Sequence, residues 1–182
     1  MKRRNIVWLL IAALAGVCGC ESDQPDQSIN DFNKAIGLNP EDAEAYNNRG
    51  AECIVKGQHE QAIADFSKAI ALKPDLTEAY INRGVAYMKR GQLDLAIADY
   101  SKAIELLPDF AEAYNNRGNA YVKKGQPDLA IADYSKAIEL QPDNASFYNT
   151  RGFTYNDMGK FDLAISDYNK AIALEADDAM AY

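Results

Sequence analysis

Apolar residues recur three and four apart through most of this chain, in paired stretches that each end on a glycine or a proline. Between residues 111 and 124, Ala111, Ala113, Tyr114, Ala120, Tyr121 and Val122 are interleaved with Glu112, Asn115, Asn116, Arg117 and Asn119, the spacing of an amphipathic helix. Gly125 follows, suited to the left-handed position just past a helix C-terminus. Residues 128–141 repeat the pattern with Leu129, Ala130, Ile131, Tyr134, Ala137 and Ile138, and Pro142 closes it. The pattern predicts two helices joined by a tight turn, a helical hairpin.

The hairpin pattern returns every 34 residues without an insertion. Tyr46, Tyr80, Tyr114, Tyr148 and Tyr182 keep this spacing, as do Gly50, Gly84, Gly118 and Gly152, and Gly57, Gly91, Gly125 and Gly159. Four complete units are predicted at 43–76, 77–110, 111–144 and 145–178. Half a unit precedes them at 28–42, and residues 179–182 begin a further one. The stretch 28–38, with Phe32, Ala35 and Ile36, is expected to be a helix covering the open side of the first unit.

Counting positions from 1 to 34 within each unit, a hairpin centred on the glycine at position 15 brings together residues whose positions sum to 30. Positions 3 and 27 are then opposed, as alanines in three units (Ala45 with Ala69, Ala79 with Ala103, Ala113 with Ala137). Arginine at position 7 meets aspartate at position 23 in all four: Arg49 with Asp65, Arg83 with Asp99, Arg117 with Asp133, Arg151 with Asp167. Their co-occurrence predicts a ladder of internal ion pairs in preference to a row of ligand-binding arginines. Asp75 with Glu78, and Asp109 with Glu112, have the spacing of capping boxes. On the first helix of each unit, positions 3, 7 and 10 are expected to face the hairpin partner and positions 4, 8 and 11 the neighbouring unit.

A 34-residue helical-hairpin period resembles the tetratricopeptide repeat, over about five sixths of the chain. The resemblance is carried by residues 111–121 with Ala130, Tyr134, Ala137 and Pro142. Departures are tyrosine for tryptophan at position 4, arginine for leucine at position 7, Cys53 for tyrosine at position 11 and Ala176 for the closing proline. The resemblance implies an all-α, right-handed superhelical solenoid of antiparallel helix pairs. It also implies a concave groove, lined from positions 2, 5, 9, 12 and 13, that binds a partner protein or an extended peptide. Here the apolar members of that strip are Ile81, Val85, Met88 and Phe153, while Asn47, Asn115, Asn119 and Asn149 would offer hydrogen bonds to a peptide backbone. The family's carboxylate clamp carries lysine at position 2 or 5 and arginine at position 6. Glu44, Glu78, Glu112, Asn82 and Asn116 stand there instead, which argues against capture of an acidic chaperone tail.

The amino terminus is of another kind. A basic start (Lys2, Arg3, Arg4), an apolar run from Ile6 to Val17 and small residues after it read as a secretory signal, residues 1–19. Twelve apolar residues at ~1.5 Å rise fall short of the ~30 Å hydrocarbon core, so a membrane-spanning helix is the weaker reading. Val17-Cys18-Gly19-Cys20 resembles a bacterial lipobox, which implies cleavage before a diacylated Cys20; Cys18 is the other acceptor, with less suitable residues ahead of it. Residues 20–27 then form a short acidic linker. Glu21 beside the lipid site leans the resemblance toward an outer-membrane lipoprotein facing the periplasm.

With 27 acidic against 19 basic side chains the chain carries a net charge of −8, and losing Lys2, Arg3 and Arg4 would deepen it. That balance argues against nucleic acid as a partner. Three cysteines and one histidine, His59, supply neither a zinc site nor a disulfide framework, and no nucleophile–base set or phosphate loop is present. No catalytic residue, cofactor or metal is therefore expected, and the chain reads as a lipid-anchored, non-catalytic interaction scaffold of the bacterial cell envelope. The rival reading is a structural repeat protein that associates with itself through its C-terminal end. There the last helix, expected over 161–174, keeps an apolar pattern (Leu163, Ile165, Tyr168, Ile172) with no further helix to cover it.

Overall fold

The computed structural model describes residues 25–180, so the expected signal and Cys20 lie outside the described residues. Within them the chain is all α-helix: α1 (Pro25–Leu38), α2 (Ala43–Val55), α3 (His59–Leu72), α4 (Thr77–Lys89), α5 (Leu93–Leu106), α6 (Ala111–Lys123), α7 (Pro127–Leu140), α8 (Ala145–Asp157) and α9 (Phe161–Met180). Each helix packs on its neighbours in sequence, and α2 also meets α4, as α4 meets α6. Four hairpins, α2–α3, α4–α5, α6–α7 and α8–α9, thus stack in a line, with α1 laid against α2.

The turn inside each hairpin is set by one backbone requirement. Gly57, Gly91, Gly125 and Gly159 have φ between 71° and 75°, the left-handed region that glycine enters without a Cβ penalty. After α2, Gly57 N–H donates to the Ile54 carbonyl (3.0 Å) and Gln58 N–H to the Cys53 carbonyl (2.8 Å), the paired bonds of a Schellman ending.

The other periodic glycine has a different cause. A Cβ at Gly84 would lie 2.6 Å from Cε1 of Tyr100, and the same contact recurs at Gly50 with Phe66 and at Gly118 with Tyr134. The absent side chain makes room for an aromatic ring from the second helix of the same hairpin, and those rings are almost wholly buried. Position 8 therefore faces the hairpin partner rather than the neighbouring unit. The small residues at positions 3 and 27 also differ from expectation. Ala69 shares a buried cluster with Ala79, and Ala103 with Ala113, so position 27 closes on position 3 of the following unit.

The ends of the helices depart from the sequence pattern in two places. No capping box forms at Asp75 or Asp109; the residues entering α4 and α6 are Leu76 and Phe110, whose side chains make no cap. Leu76 is instead buried with Ala43, Ala69 and Ala79, and Phe110 packs against the Tyr80–Tyr100 cluster, so burial takes the place of a cap. Only Asp42 and Asn144, at the equivalent position before α2 and α8, accept hydrogen bonds from Ala45 N–H and Ser146 N–H. The second departure is α9, which runs on to Met180 instead of stopping near Leu174. Ala176 stands where proline ends the other second helices, so nothing breaks the hydrogen-bond ladder. Residues 179 and 180 accordingly continue α9 rather than open a fifth unit.

The ion pairs form a regular column. Arg83 Nε and Nη2 reach the two carboxylate oxygens of Asp99 at 2.8 and 2.7 Å, and Arg49–Asp65, Arg117–Asp133 and Arg151–Asp167 have the same bidentate geometry. The hydrogen bond to its aspartate, opposed by desolvation, pushes each guanidinium above its ordinary range. Their third donor was not legible as a partner in the sequence. Nη1 of Arg83, Arg117 and Arg151 donates to Ser67, Ser101 and Ser135 of the preceding unit at 2.9–3.0 Å, and Nη1 of Arg49 donates to Asn33 of α1 at 2.8 Å. One arginine thereby joins its own hairpin to the one before it. Tyrosines at positions 4 and 11 flank the guanidinium, both at 5.8 Å for Arg83; beside Arg49, Cys53 leaves Tyr46 alone.

Candidate functional site

The surface left by this packing is an open groove of about 590 Å3 along α4, α6 and α8. Its floor is Val85 and Met88 from α4, Val122 from α6 and Phe153 from α8, with ring edges of Tyr100 and Tyr134 between them. Phe153 is 58% exposed. Asn116, Asn119, Ser146, Asn149, Thr150 and Thr154 supply its polar lining, together with Lys89 and Lys123. No aspartate or glutamate lines it, although the chain as a whole is acidic.

Of the eight residues expected to form a partner-binding strip, the groove brings together Val85, Met88, Asn119, Asn149 and Phe153. The other three serve the stack. Ile81 is 4% exposed and belongs to the core with Tyr80 and Ala96, so it is closed to a partner. Asn47 accepts from Asn82 Nδ2 (3.1 Å) and Asn115 from Thr150 Oγ1 (3.2 Å), each bond joining a first helix to the next. Asn119 is also engaged, its Oδ1 accepting a hydrogen bond from the Tyr134 hydroxyl at 2.8 Å. Desolvation by burial, with the nearby Asp133 charge and against a hydrogen bond with Thr154, pushes the Tyr134 phenol up to about 12.

Sequence reasoning named Asn116 only for what it replaces in the carboxylate clamp, and left position 6 (Asn116, Thr150) and the rings at position 24 out of the expected strip. The signal for position 6 was its place on the helical wheel, on the same flank as positions 2 and 13. For Tyr100 and Tyr134 there was none, because only the geometry of two neighbouring hairpins brings a buried core ring to the wall of the groove. His59 is half-buried at the start of α3, and Cys53 is a free thiol, 1% exposed, pushed up by desolvation first. Among the described residues no three His, Cys, Asp or Glu side chains come together as a metal site, and no helix is long and apolar enough to cross a membrane.

A family profile described as TPR repeat matches residues 52–90 and 84–125, and one described as tetratricopeptide repeat matches 111–144 and 145–178. No curated protein matches the chain. Among solved structures it is similar to a crystal structure of MamA, 28% identical with a TM-score of 0.79, over 86% of this chain and 91% of that one. A MamA fragment from Desulfovibrio magneticus RS-1 has the same fold at 22% identity and a TM-score of 0.78, over 85% and 88%. YrrB, described as a TPR protein with an unusual peptide-binding site, is 25% identical with a TM-score of 0.69, over 86% and 81%.

Proposed function

Because the chain belongs to the tetratricopeptide-repeat family, whose members are scaffolds for protein–protein interaction, we propose that its groove holds an extended segment of a partner protein bearing an apolar side chain and an acidic one. The observation that carries this is the groove's lining: an apolar floor ending on the exposed Phe153, two lysines, and no carboxylate, on a chain of net charge −8. Lys89 and Lys123 have no ion-pair partner among the described residues, whereas Lys124 pairs with Asp94 and Lys102 with Glu105. An acidic residue would be attracted to the lysines in preference to the surrounding surface, while burial of an apolar side chain on Val85, Met88, Val122 and Phe153 supplies affinity. Both lysines stand at position 13, away from the positions of the carboxylate clamp. The peptide-binding site described for YrrB supports a peptide ligand in this fold. The role is non-catalytic, and no cofactor takes part.

The same reading keeps the protein in the bacterial cell envelope, tethered by a lipid on Cys20 to the outer membrane and facing the periplasm, and it rests on the lipobox-like sequence alone. Replacing Cys20 by serine releases the chain from the membrane fraction if that is right; retention overturns the anchor. For the groove, fluorescence-labelled peptides pairing aspartate with leucine or phenylalanine are titrated against the chain. Lys89→Glu with Lys123→Glu, and separately Phe153→Asp, are expected to weaken binding at least tenfold, with the first loss reduced at high salt. Equal affinity in both variants overturns the groove.

A further inference from the structure

The second helix of each internal unit binds the next unit through a small fixed set of residues. Ile70 and Ile138, at position 28, are half-buried against the following unit, and position 21 carries Ile63, Ile97 and Ile131, also half-buried. Between them Ser67, Ser101 and Ser135 accept the arginine of the next first helix. On α9 the same three positions are Ile165, Asn169 and Ile172. Ile165 is 57% and Ile172 64% exposed, Asn169 is exposed as well, and no described residue covers them.

At the other end of the molecule the same set is already in use. Four repeat lengths before Ile165, Asn169 and Ile172 stand Ile29, Asn33 and Ile36 of α1. Residues 31–36 read Asp-Phe-Asn-Lys-Ala-Ile and 167–172 read Asp-Tyr-Asn-Lys-Ala-Ile, whereas the three internal copies have serine in place of the asparagine. On α2, Ile29 packs against the cluster of Cys53, Ala62 and Phe66, and Asn33 takes the Arg49 hydrogen bond. That seat is lightly held. None of the α1 side chains from Ser28 to Leu38 is fully buried, and the further bond to α2 is a long one, Ser28 to Glu52 at 3.4 Å.

We propose that α9 of one copy takes the place of α1 on α2 of a second copy, so that the repeat stack continues from molecule to molecule. Asn169 then accepts from Arg49 of the second copy, and Ile165 and Ile172 fill the seats of Ile29 and Ile36. The displaced α1 swings out on the Asn39–Asp42 turn. The exchange replaces a set of contacts by its equivalent, which keeps its cost low, and it covers two isoleucines that otherwise face water. The joined faces are different, so the contact is heterologous and propagates head to tail instead of closing a dimer. The groove takes no part, and the inference stands or falls apart from the proposed peptide ligand.

The full chain carrying Cys18→Ser and Cys20→Ser, which keeps a lipid from being attached, is followed by sedimentation velocity through the micromolar range. A concentration-dependent series of species beyond the dimer is expected, together with faster amide exchange in residues 25–38 as association proceeds. Asn169→Lys, a surface change that sets a cation against Arg49, is expected to weaken association at least tenfold with helicity unchanged. Ile165→Glu with Ile172→Glu removes the donor face but keeps α2, so mixing this variant into the parent shortens the series by ending chains. A strict monomer, a closed dimer, a series indifferent to Asn169→Lys, or association that leaves α1 exchange unchanged would each overturn the proposal.

Discussion

At the scale of single residues, the two glycine columns are required for unlike reasons, and substitution separates them. At Gly84 or Gly118 an alanine Cβ meets a ring only 2.6 Å away, and Tyr100 and Tyr134 are at most 2% exposed, so the ring must shift within its packing. Gly84→Ala is expected to destabilise by about 1–3 kcal/mol, read as a shift in the urea midpoint at constant slope. Gly152→Ala costs less, because its nearest neighbour, Tyr168, stands 3.0 Å away on the outermost helix and is half-buried. The same tyrosines give the fold an alkaline limit. Desolvation raises Tyr134 from 10.0 to about 12 and Tyr100 further still. Below pH 10 both states keep the phenol proton; above it the unfolded chain ionises while the folded one does not, so stability falls through the window from 10 to 12. Tyr100→Phe with Tyr134→Phe, which repeats the ring that Phe66 already supplies in the first unit, should move the alkaline unfolding midpoint upward, as followed by circular dichroism against pH.

Between elements, the informative contrast lies at the ends of helices. α9 is longer than the other second helices because Ala176 replaces the closing proline, and Glu175 and Ala176 are exposed. Ala176→Pro should shorten the helix and lower the ellipticity at 222 nm while leaving the unfolding midpoint within about 0.5 kcal/mol, since a change at an exposed end touches no core. Removing α1 is a different matter. It would uncover the seat of Ile29 beside Cys53 and Phe66 and leave the third donor of Arg49 without Asn33. Deletion of residues 25–38 is therefore expected to lower the thermal midpoint, and an unchanged midpoint would show that α1 contributes nothing as a cap.

At the scale of the molecule, the main contacts among the described residues run between adjacent helices and between some first helices of neighbouring units, so stability is a sum of unit and junction contributions. Each junction carries one arginine shared between an aspartate of its own unit and an acceptor of the unit before. A second, exposed line of ion pairs (Glu60–Arg90, Asp94–Lys124, Asp128–Lys160) follows the outer edge and contributes little in comparison. Amide exchange under native conditions should be slowest in α4 to α7, whose two hairpins each have a complete hairpin on both sides, and fastest in α1; uniform protection along the chain would mean that the units unfold together. The larger effect should come from the central arginines. Arg117→Ala leaves Asp133, 6% exposed, as an unpaired buried charge and is expected to cost about 3–5 kcal/mol in a denaturant titration.

The sequence by itself determined the helices, their pairing into hairpins and the Arg–Asp partners, because an uninterrupted period places equal residues in equal surroundings and helix geometry then dictates which side chains meet. Turn glycines and closing prolines were legible for the same local reason. Tertiary structure decided what depends on a neighbour's shape. It turned position 8 toward an aromatic ring, joined the alanines of position 27 to the following unit, replaced the expected capping boxes by the burial of Leu76 and Phe110, and gave each arginine a third acceptor across the junction. It also divided the candidate strip, drawing Ile81, Asn47 and Asn115 into the stack and leaving Val85, Met88, Asn119, Asn149 and Phe153 around the groove. A helical period reports the direction in which a side chain leaves its own helix; whether that direction ends in a neighbouring hairpin or in open solvent is fixed by how one unit is rotated on the next.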